Sequence, residues 1–318
     1  MATTAIAQDV VPTDVEERVV EDDEEEKHEG WKNRARVSAN VSFNDVRNVV
    51  GTIEGSTWQI GAQINGGAHY RLEEHDWENT LSLNVTQTRT PALEQFVKSA
   101  DELRLSTVYL YRIADYFGPF AQASASTAIL PGNDVRAANF VAVSPDGVAE
   151  DIDGGENFRL TDPFEPLTIS ESLGGFAIAA ESELVTAKFK LGVGGEHVVT
   201  FGDDALVLSD DDGTDEIEYS LIESANQIGA VFNANLEGTL REGVTYNFGG
   251  KLFYAVESDN DDITGSDRLS VEADAKVSVE LVEWASLDYV LIFRRIPWVV
   301  DANQITNGLM LSIGYDLI

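Results

Sequence analysis

From Arg268 to Leu281 the chain alternates without a break. Leu269, Val271, Ala273, Ala275, Val277, Val279 and Leu281 share one parity; Arg268, Ser270, Glu272, Asp274, Lys276, Ser278 and Glu280 share the other. An extended strand sends successive side chains to opposite faces, so this segment has one apolar and one polar face. In a soluble sandwich or barrel the apolar face packs inward. In an outer-membrane barrel it meets lipid and the polar face lines the lumen. The alternation is the same in both.

The same period recurs from Trp31 to the end of the chain and predicts strands at 32–43, 57–71, 77–88, 102–113, 117–129, 167–179, 184–198, 219–238, 244–256, 268–282, 286–295 and 306–318. Most exceed the usual soluble length of about 5–6 residues and reach the roughly 9–11 needed to cross a bilayer at a tilt. The connections alternate. Short ones ("LEEHD", "ADY", "AESE", "LREG", "EWA") are separated by long ones, the longest running from Leu130 to Pro166. Within it, "FVAVSPDGVAED" predicts a hairpin over a Ser-Pro-Asp-Gly turn. Tight turns on one rim and long loops on the other are the outer-membrane pattern. The fold expected is an all-β, antiparallel transmembrane barrel of about twelve strands, with short periplasmic turns and long extracellular loops.

Aromatic residues fall at the strand ends. Trp31, Tyr70, Trp77, Tyr116, Phe117 and Trp284 lie toward the short turns, and Trp58 and Trp298 toward the long loops. Two girdles of amphipathic rings are expected of a membrane barrel. The closing segment "GLMLSIGYDLI" puts Leu309, Leu311, Ile313, Tyr315 and Leu317 on one face. It resembles the C-terminal strand recognised by the barrel-assembly machinery, although it ends in Ile318 rather than phenylalanine. On this reading Arg268–Leu281 shows its valines and leucines to lipid.

Three consecutive pieces, "DWENTLSLNVTQT", "KSADELRLSTVYLYRI" and "FAQASASTAILPG", resemble an uncharacterised outer-membrane barrel family best known from Bacteroidetes. Trp77, Lys98, Asp101, Leu103, Leu105, Tyr109, Tyr111, Pro131 and Gly132 carry the resemblance. It covers about the first hundred residues of the barrel. It implies a location and an architecture, and brings no catalytic residues.

Composition narrows the partners. The chain has 318 residues, a net charge of −35, 26 glycines, 8 prolines and no cysteine. Disulfides and thiolate metal sites are excluded. The charge excludes nucleic acid, which needs Lys/Arg stripes. A saline habitat or cation-holding acidic loops account for such acidity. Residues 1–30 contain "EERVVEDDEEEKHEG" and read as a disordered acidic tail on the periplasmic side; residues 31–318 form the barrel. Ala5-Ile6-Ala7 has the small-residue form of an export cleavage site. The expected location is the outer membrane of a diderm bacterium.

Strand parity sends Arg34, Arg36, Arg71, Arg104, Arg112, Lys188, Lys190, Lys251, Lys276 and Arg294 inward. Glu78, Glu196, Glu237, Glu272, Asp274, Glu280 and Asp288 share that face. Two readings stay open: a lumen closed by interlocking ion pairs, or a narrow hydrated pore with a positive constriction. The cations near the short-turn rim also raise the idea that Glu21–Glu26 of the tail enters that mouth as a tethered plug.

Catalysis finds little support. His28, His69, His75 and His197 are scattered, no G-x-S-x-G occurs, and only His197 is placed to act as a base. No cofactor is expected. The acidic stretches Asp210–Glu218 and Glu257–Asp267 do not fit a calcium loop and allow at most weak divalent-cation binding. The functional expectation is a narrow passive channel with a charged lumen, in contact with outer-membrane lipid and passing small ions or solutes. The alternative is a closed structural or surface-interaction barrel acting through its acidic external loops.

Overall fold

The computed structural model describes residues 29–46, 55–93, 95–182, 184–202, 204–210, 215–259, 264–297 and 300–316. In chain order its strands are β1 (Gly30–Val46), β2 (Gly55–Leu72), β3 (His75–Arg89), β4 (Val97–Tyr111), β5 (Phe117–Thr127), β6 (Gly132–Asp134), β7 (Phe140–Val143), β8 (Ala149–Ile152) and β9 (Phe158–Thr161). They continue as β10 (Leu167–Ser182), β11 (Val185–Val199), β12 (Leu206–Asp210), β13 (Glu216–Leu221), β14 (Ala225–Arg241), β15 (Val244–Ser258), β16 (Leu269–Val282), β17 (Ala285–Ile296) and β18 (Val300–Asp316).

Twelve of them close into one antiparallel barrel, in the order β1-β18-β17-β16-β15-β14-β11-β10-β5-β4-β3-β2. Closure is made by β1 against β18, with Arg36 opposite Asp316 and Val41 opposite Leu311. Sequence neighbours pair throughout, as a meander with hairpin connections requires. The two-residue turns sit on one rim. Glu73 and Gly243 take positive φ there, 50° and 71°, the left-handed backbone that lets so short a link match the twist of its strands.

Burial along the strands decides which way each face points. In β1 and β2 the exposed set includes Val37, Val41, Ile60 and Ile64, while Ser38 and Asn40 are buried. In β4, Leu105 is 52% exposed; in β11, Leu191 is 64% exposed and Lys190 only 7%. A soluble barrel would show the reverse. Here the polar parity is enclosed and the apolar parity looks outward.

The long loops are folded. β7 and β8 form the expected hairpin, with Ser144 N–H bonded to Val148 O and Gly147 N–H to Ser144 O. They join β12 and β13 in a four-stranded sheet of order β12-β13-β7-β8, and β6 pairs with β9. Phe140, Ala142 and Ile152 from one loop pack with Ile217 and Tyr219 from the other. The two loops therefore share a core and make a cap. Glu165, 3% exposed, ties them at the base by accepting bonds from Phe201 N–H (2.5 Å) and Gly202 N–H (3.0 Å).

Two strand boundaries differ most from the sequence reading. The 219–238 strand is in fact the cap strand β13 followed by β14, because Glu216–Leu221 alternates with the same period. The connection before the last strand is short: β17 ends at Ile296 and β18 begins at Val300, six residues earlier than expected. Asp301, Asn303 and Gln304 read as loop composition, yet they lie within β18.

The family-like motif has a local physical reason. The fully buried Asp101 carboxylate accepts bonds from Ile129 N–H (3.1 Å) and Leu130 N–H (2.6 Å). Lys98 Nζ lies 3.5 Å from the same carboxylate and donates to Leu130 O at 3.3 Å. Gly132 follows because a Cβ there would meet Thr161 Oγ1 at 2.4 Å. Lys98, Asp101, Pro131 and Gly132 thus pin the longest loop as it leaves the wall. Asp101→Ala strands two amides and should destabilise this junction by about 3 kcal/mol. Limited proteolysis should then cut within 130–166 while the barrel itself stays protected.

Candidate functional site

Enclosed charges pair with one another. Arg34 Nη2 lies 3.3 Å from Glu78 Oε1, Arg112 Nη2 lies 2.8 Å from Asp76 Oδ2, and Arg104 Nε lies 3.6 Å from Glu102 Oε1. Lys190 Nζ donates to Gln122 Oε1 at 3.0 Å. Asp288 accepts from Ser278 Oγ (2.5 Å) and Ser312 Oγ (2.7 Å), with Lys276 two positions along the ladder. Arg36 packs against Gly314, Asp274 against Gly249, and Arg294 stands opposite Glu272 in the register. Each needs a small or opposite neighbour, since the interior is narrow.

Lys251 makes the pair with the longest reach. Its Nζ lies 2.7 Å from Glu196 Oε1 and 3.5 Å from Glu272 Oε1, and all three side chains are at most 15% exposed. Through the ladder Lys251 neighbours Asn233, and Asn233 neighbours Lys190; Glu196 lies six residues farther along β11. Six residues of strand are roughly 20 Å, more than the two side chains can cover along the wall. They meet by crossing the interior.

Near the short-turn rim, His69, Asp76, Glu78, Arg112, Glu181, Lys188 and Glu237 line a cavity of about 20 Å³, room for about one water molecule. His69 Nε2 and Asp76 Oδ1 are 2.7 Å apart. Arg71 sits at the same end, opposite Asp76 in the register, and Glu280 is exposed at its rim. Arg34 and Arg112 already hold acids, and acids outnumber bases around the cavity. The tail segment Glu21–Glu26 lies outside the described residues.

The enclosed face is not wholly polar, as strand parity had suggested. Val108, Leu110, Phe120, Phe176 and Ile178 form one buried cluster, and Val231, Phe253 and Ala255 another. Sequence reasoning also passed over Asp76, Glu102 and Gln227. The signal was present for the first two, which share parity with Glu78 and Arg104. Gln227 gave none: it is 1% exposed, and neither amide atom has a hydrogen-bond partner.

Around the outside, Trp31 (53% exposed), Trp77 (40%) and Tyr70 cluster at the short-turn rim, with ring centroids 5.1 and 5.6 Å from that of Trp31. Tyr116 and Trp284 are exposed at the same rim, and Trp58 is exposed toward the loops. Trp298 lies outside the described residues. His197 has Asn226 Oδ1 and Glu171 Oε1 each at 2.9 Å from a ring nitrogen, and neither partner is a hydroxyl. Among the described residues no group of three or more His, Asp or Glu is arranged to hold a metal ion.

In the cap, Tyr219 is 3% exposed and its hydroxyl donates to Asp134 Oδ2 at 2.7 Å, where Arg136 Nε also arrives at 2.9 Å. Burial, and then the Asp134 carboxylate, raise the Tyr219 pKa above its ordinary value.

A family model described as a protein of unknown function (DUF3078) matches residues 51–132, the stretch from the approach to β2 through the first residue of β6. That stretch contains every residue on which the family resemblance rested. No curated protein matches the chain. Among solved structures, an outer-membrane channel from Pseudomonas putida F1 is 12% identical with a TM-score of 0.40, covering 93% of this chain and 99% of that one. The translocator domain of the autotransporter NalP from Neisseria meningitidis is 8% identical at a TM-score of 0.40, covering 92% and 90%. The CymD monoaromatic hydrocarbon channel is 12% identical at 0.36, covering 91% and 88%. The barrel assignment stands on the strand register.

The raised pKa of Tyr219 has a testable sign. The folded cap keeps the phenol protonated, so its contribution is full below the unfolded value of about 10 and is lost as pH rises above it. Protease sensitivity of the cap should therefore climb above about pH 10. Tyr219→Phe should flatten that rise.

Proposed function

We propose that this chain spans a bacterial outer membrane and acts as a narrow, constricted channel for small ions. The observation that carries the reading is the inverted burial. Leu173, Leu191, Val193, Ile228, Ile305 and Leu309 are each at least 56% exposed on the outside, while Glu196, Lys190, Asp274 and Asp288 are buried within. The largest apolar patch of a soluble monomer is about 300–600 Å², and a belt around twelve strands exceeds it. Lipid is the solvent that such a belt fits. Trp31, Tyr70, Trp77, Tyr116 and Trp284 supply a girdle at one water boundary and Trp58 contributes to the other.

Orientation follows from the rims. With the two-residue turns in the periplasm, β1 starts on that side, so the acidic tail that precedes it is periplasmic and the cap is extracellular. β18, which closes the barrel, is the strand the assembly machinery would read.

A charged interior is the second support. Buried ion pairs are seldom the most stable filling for an enclosed space, and apolar packing of equal volume does as well or better. A barrel built only to persist has no need of Arg34–Glu78, Arg112–Asp76 or Lys251–Glu196. A barrel that admits ions does. The other reading, a surface-interaction barrel, is favoured by the cap alone, whose shared core gives the loops a fixed outer surface.

Purified barrel in a planar bilayer under a potassium chloride gradient should show a steady, small unit conductance. Silence, with insertion verified by protease protection, would overturn the channel and leave the cap as the functional surface.

A further inference from the structure

We propose that Glu196, Glu272 and Gln227 form a monovalent-cation site at the channel constriction, with the Lys251 ammonium as its tethered occupant. This inference rests on the channel reading and names the selectivity of that channel. A permeating cation passes by exchanging with the ammonium. Lys251 is then a specificity-determining residue, setting how much current passes and which sign of ion carries it.

Stoichiometry comes first. One ammonium lies between two carboxylates, at 2.7 Å from Glu196 and 3.5 Å from Glu272. Both acids are nearly enclosed, with side chains 9% and 11% exposed. Arg294 is the ladder neighbour of Glu272 on the side away from Lys251. Glu196 has Gln227 as its ladder neighbour instead. On the Glu196 side, then, the adjacent group on the wall is an uncharged amide.

Gln227 is the independent observation. Its side chain is 1% exposed on the enclosed face, and neither its carbonyl oxygen nor its NH₂ has a partner. A buried amide left unbonded is costly, so its retention points to an occupant that satisfies it part of the time. Its carbonyl oxygen and the Glu196 carboxylate present the hard oxygen donors that alkali cations accept.

Third is the dry wall. Phe253 is fully buried, Val231 and Ala255 are 4% and 1% exposed, and all three share the enclosed face with Lys251 and Gln227. Low local polarity strengthens the attraction of two carboxylates for a cation and penalises an anion equally.

The test is the reversal potential of single channels in a potassium chloride gradient, for wild type, Lys251→Met and the double variant Glu196→Gln/Glu272→Gln. Lys251→Met keeps the volume and removes the occupant. It should raise conductance about threefold or more and move the reversal potential toward the potassium equilibrium value. The double variant leaves Lys251 facing neutral amides and should shift selectivity toward chloride. If Lys251→Met fails to assemble, judged by heat-modifiable gel mobility, the double variant decides alone: a chloride shift upholds the site and an unchanged reversal potential overturns it. Channels that conduct in every variant with the same selectivity sink the cation site and leave the channel intact. No current from wild type or from either inserted variant sinks both.

Discussion

Pairing of β1 with β18 is the constraint on which the rest of the molecule depends. It removes the two free edges that an open twelve-stranded sheet would expose, so the wall satisfies its backbone groups internally. Once the sheet is closed, one face becomes scarce space. Side chains on that face meet each other across a gap about as wide as they are long, while those on the other face meet only solvent. Glycine appears where the enclosed space runs out: at Gly61 a Cβ would lie 2.5 Å from Asn40 Oδ1, and at Gly249 2.5 Å from Asp274 Oδ1. The apolar residues are displaced outward by the same geometry, because the interior has no room to shelter them all.

The wall was legible in the sequence because its rule is local. Period-2 alternation and the run of short and long connections depend on neighbours one or two positions away, which is why all five short links fell where expected or nearly so, and β7–β8 was found from a single turn. The failures mark where a local rule meets a competing one. Glu216–Leu221 alternates as well as any wall strand, but its buried Ile217 and Tyr219 face the cap core and not lipid. Asp301–Gln304 looked like loop because the segment is polar on both parities, including that of the outward-facing Ile305 and Leu309.

Partners inside the barrel were only half legible. Parity alone put Arg34 and Glu78 on one face, but they sit on β1 and β3, and Arg34 passes over Gly67 of the strand between to reach the acid. It could not place Lys251 with Glu196, because that contact depends on curvature and strand tilt, which no single strand encodes. For the same reason Phe120, Phe176 and Phe253 were assigned no role: an inward phenylalanine is an exception to the alternation, and only the closed wall shows that such exceptions gather into two clusters. They fill the spaces between charge pairs, and by excluding water they make each remaining pair stronger.

The net charge of −35 is therefore not a property of the interior. Acids and bases on the enclosed face are paired, whereas residues 130–166 and 200–224 together hold 17 Asp and Glu against two arginines, Arg136 and Arg159. Those loops build the cap, so 15 of the 35 excess negative charges lie at that end of the barrel. Its field fades over a Debye length of about 8 Å at physiological salt, too short to reach through the wall to Lys251. It is long enough to enrich cations at the loop-side mouth. On the channel reading proposed above, cap and constriction act in series and with the same sign: the first concentrates cations by a screened field, and the second discriminates by contact. Raising the salt should weaken only the first of these effects, because the second lies among buried groups that screening does not reach.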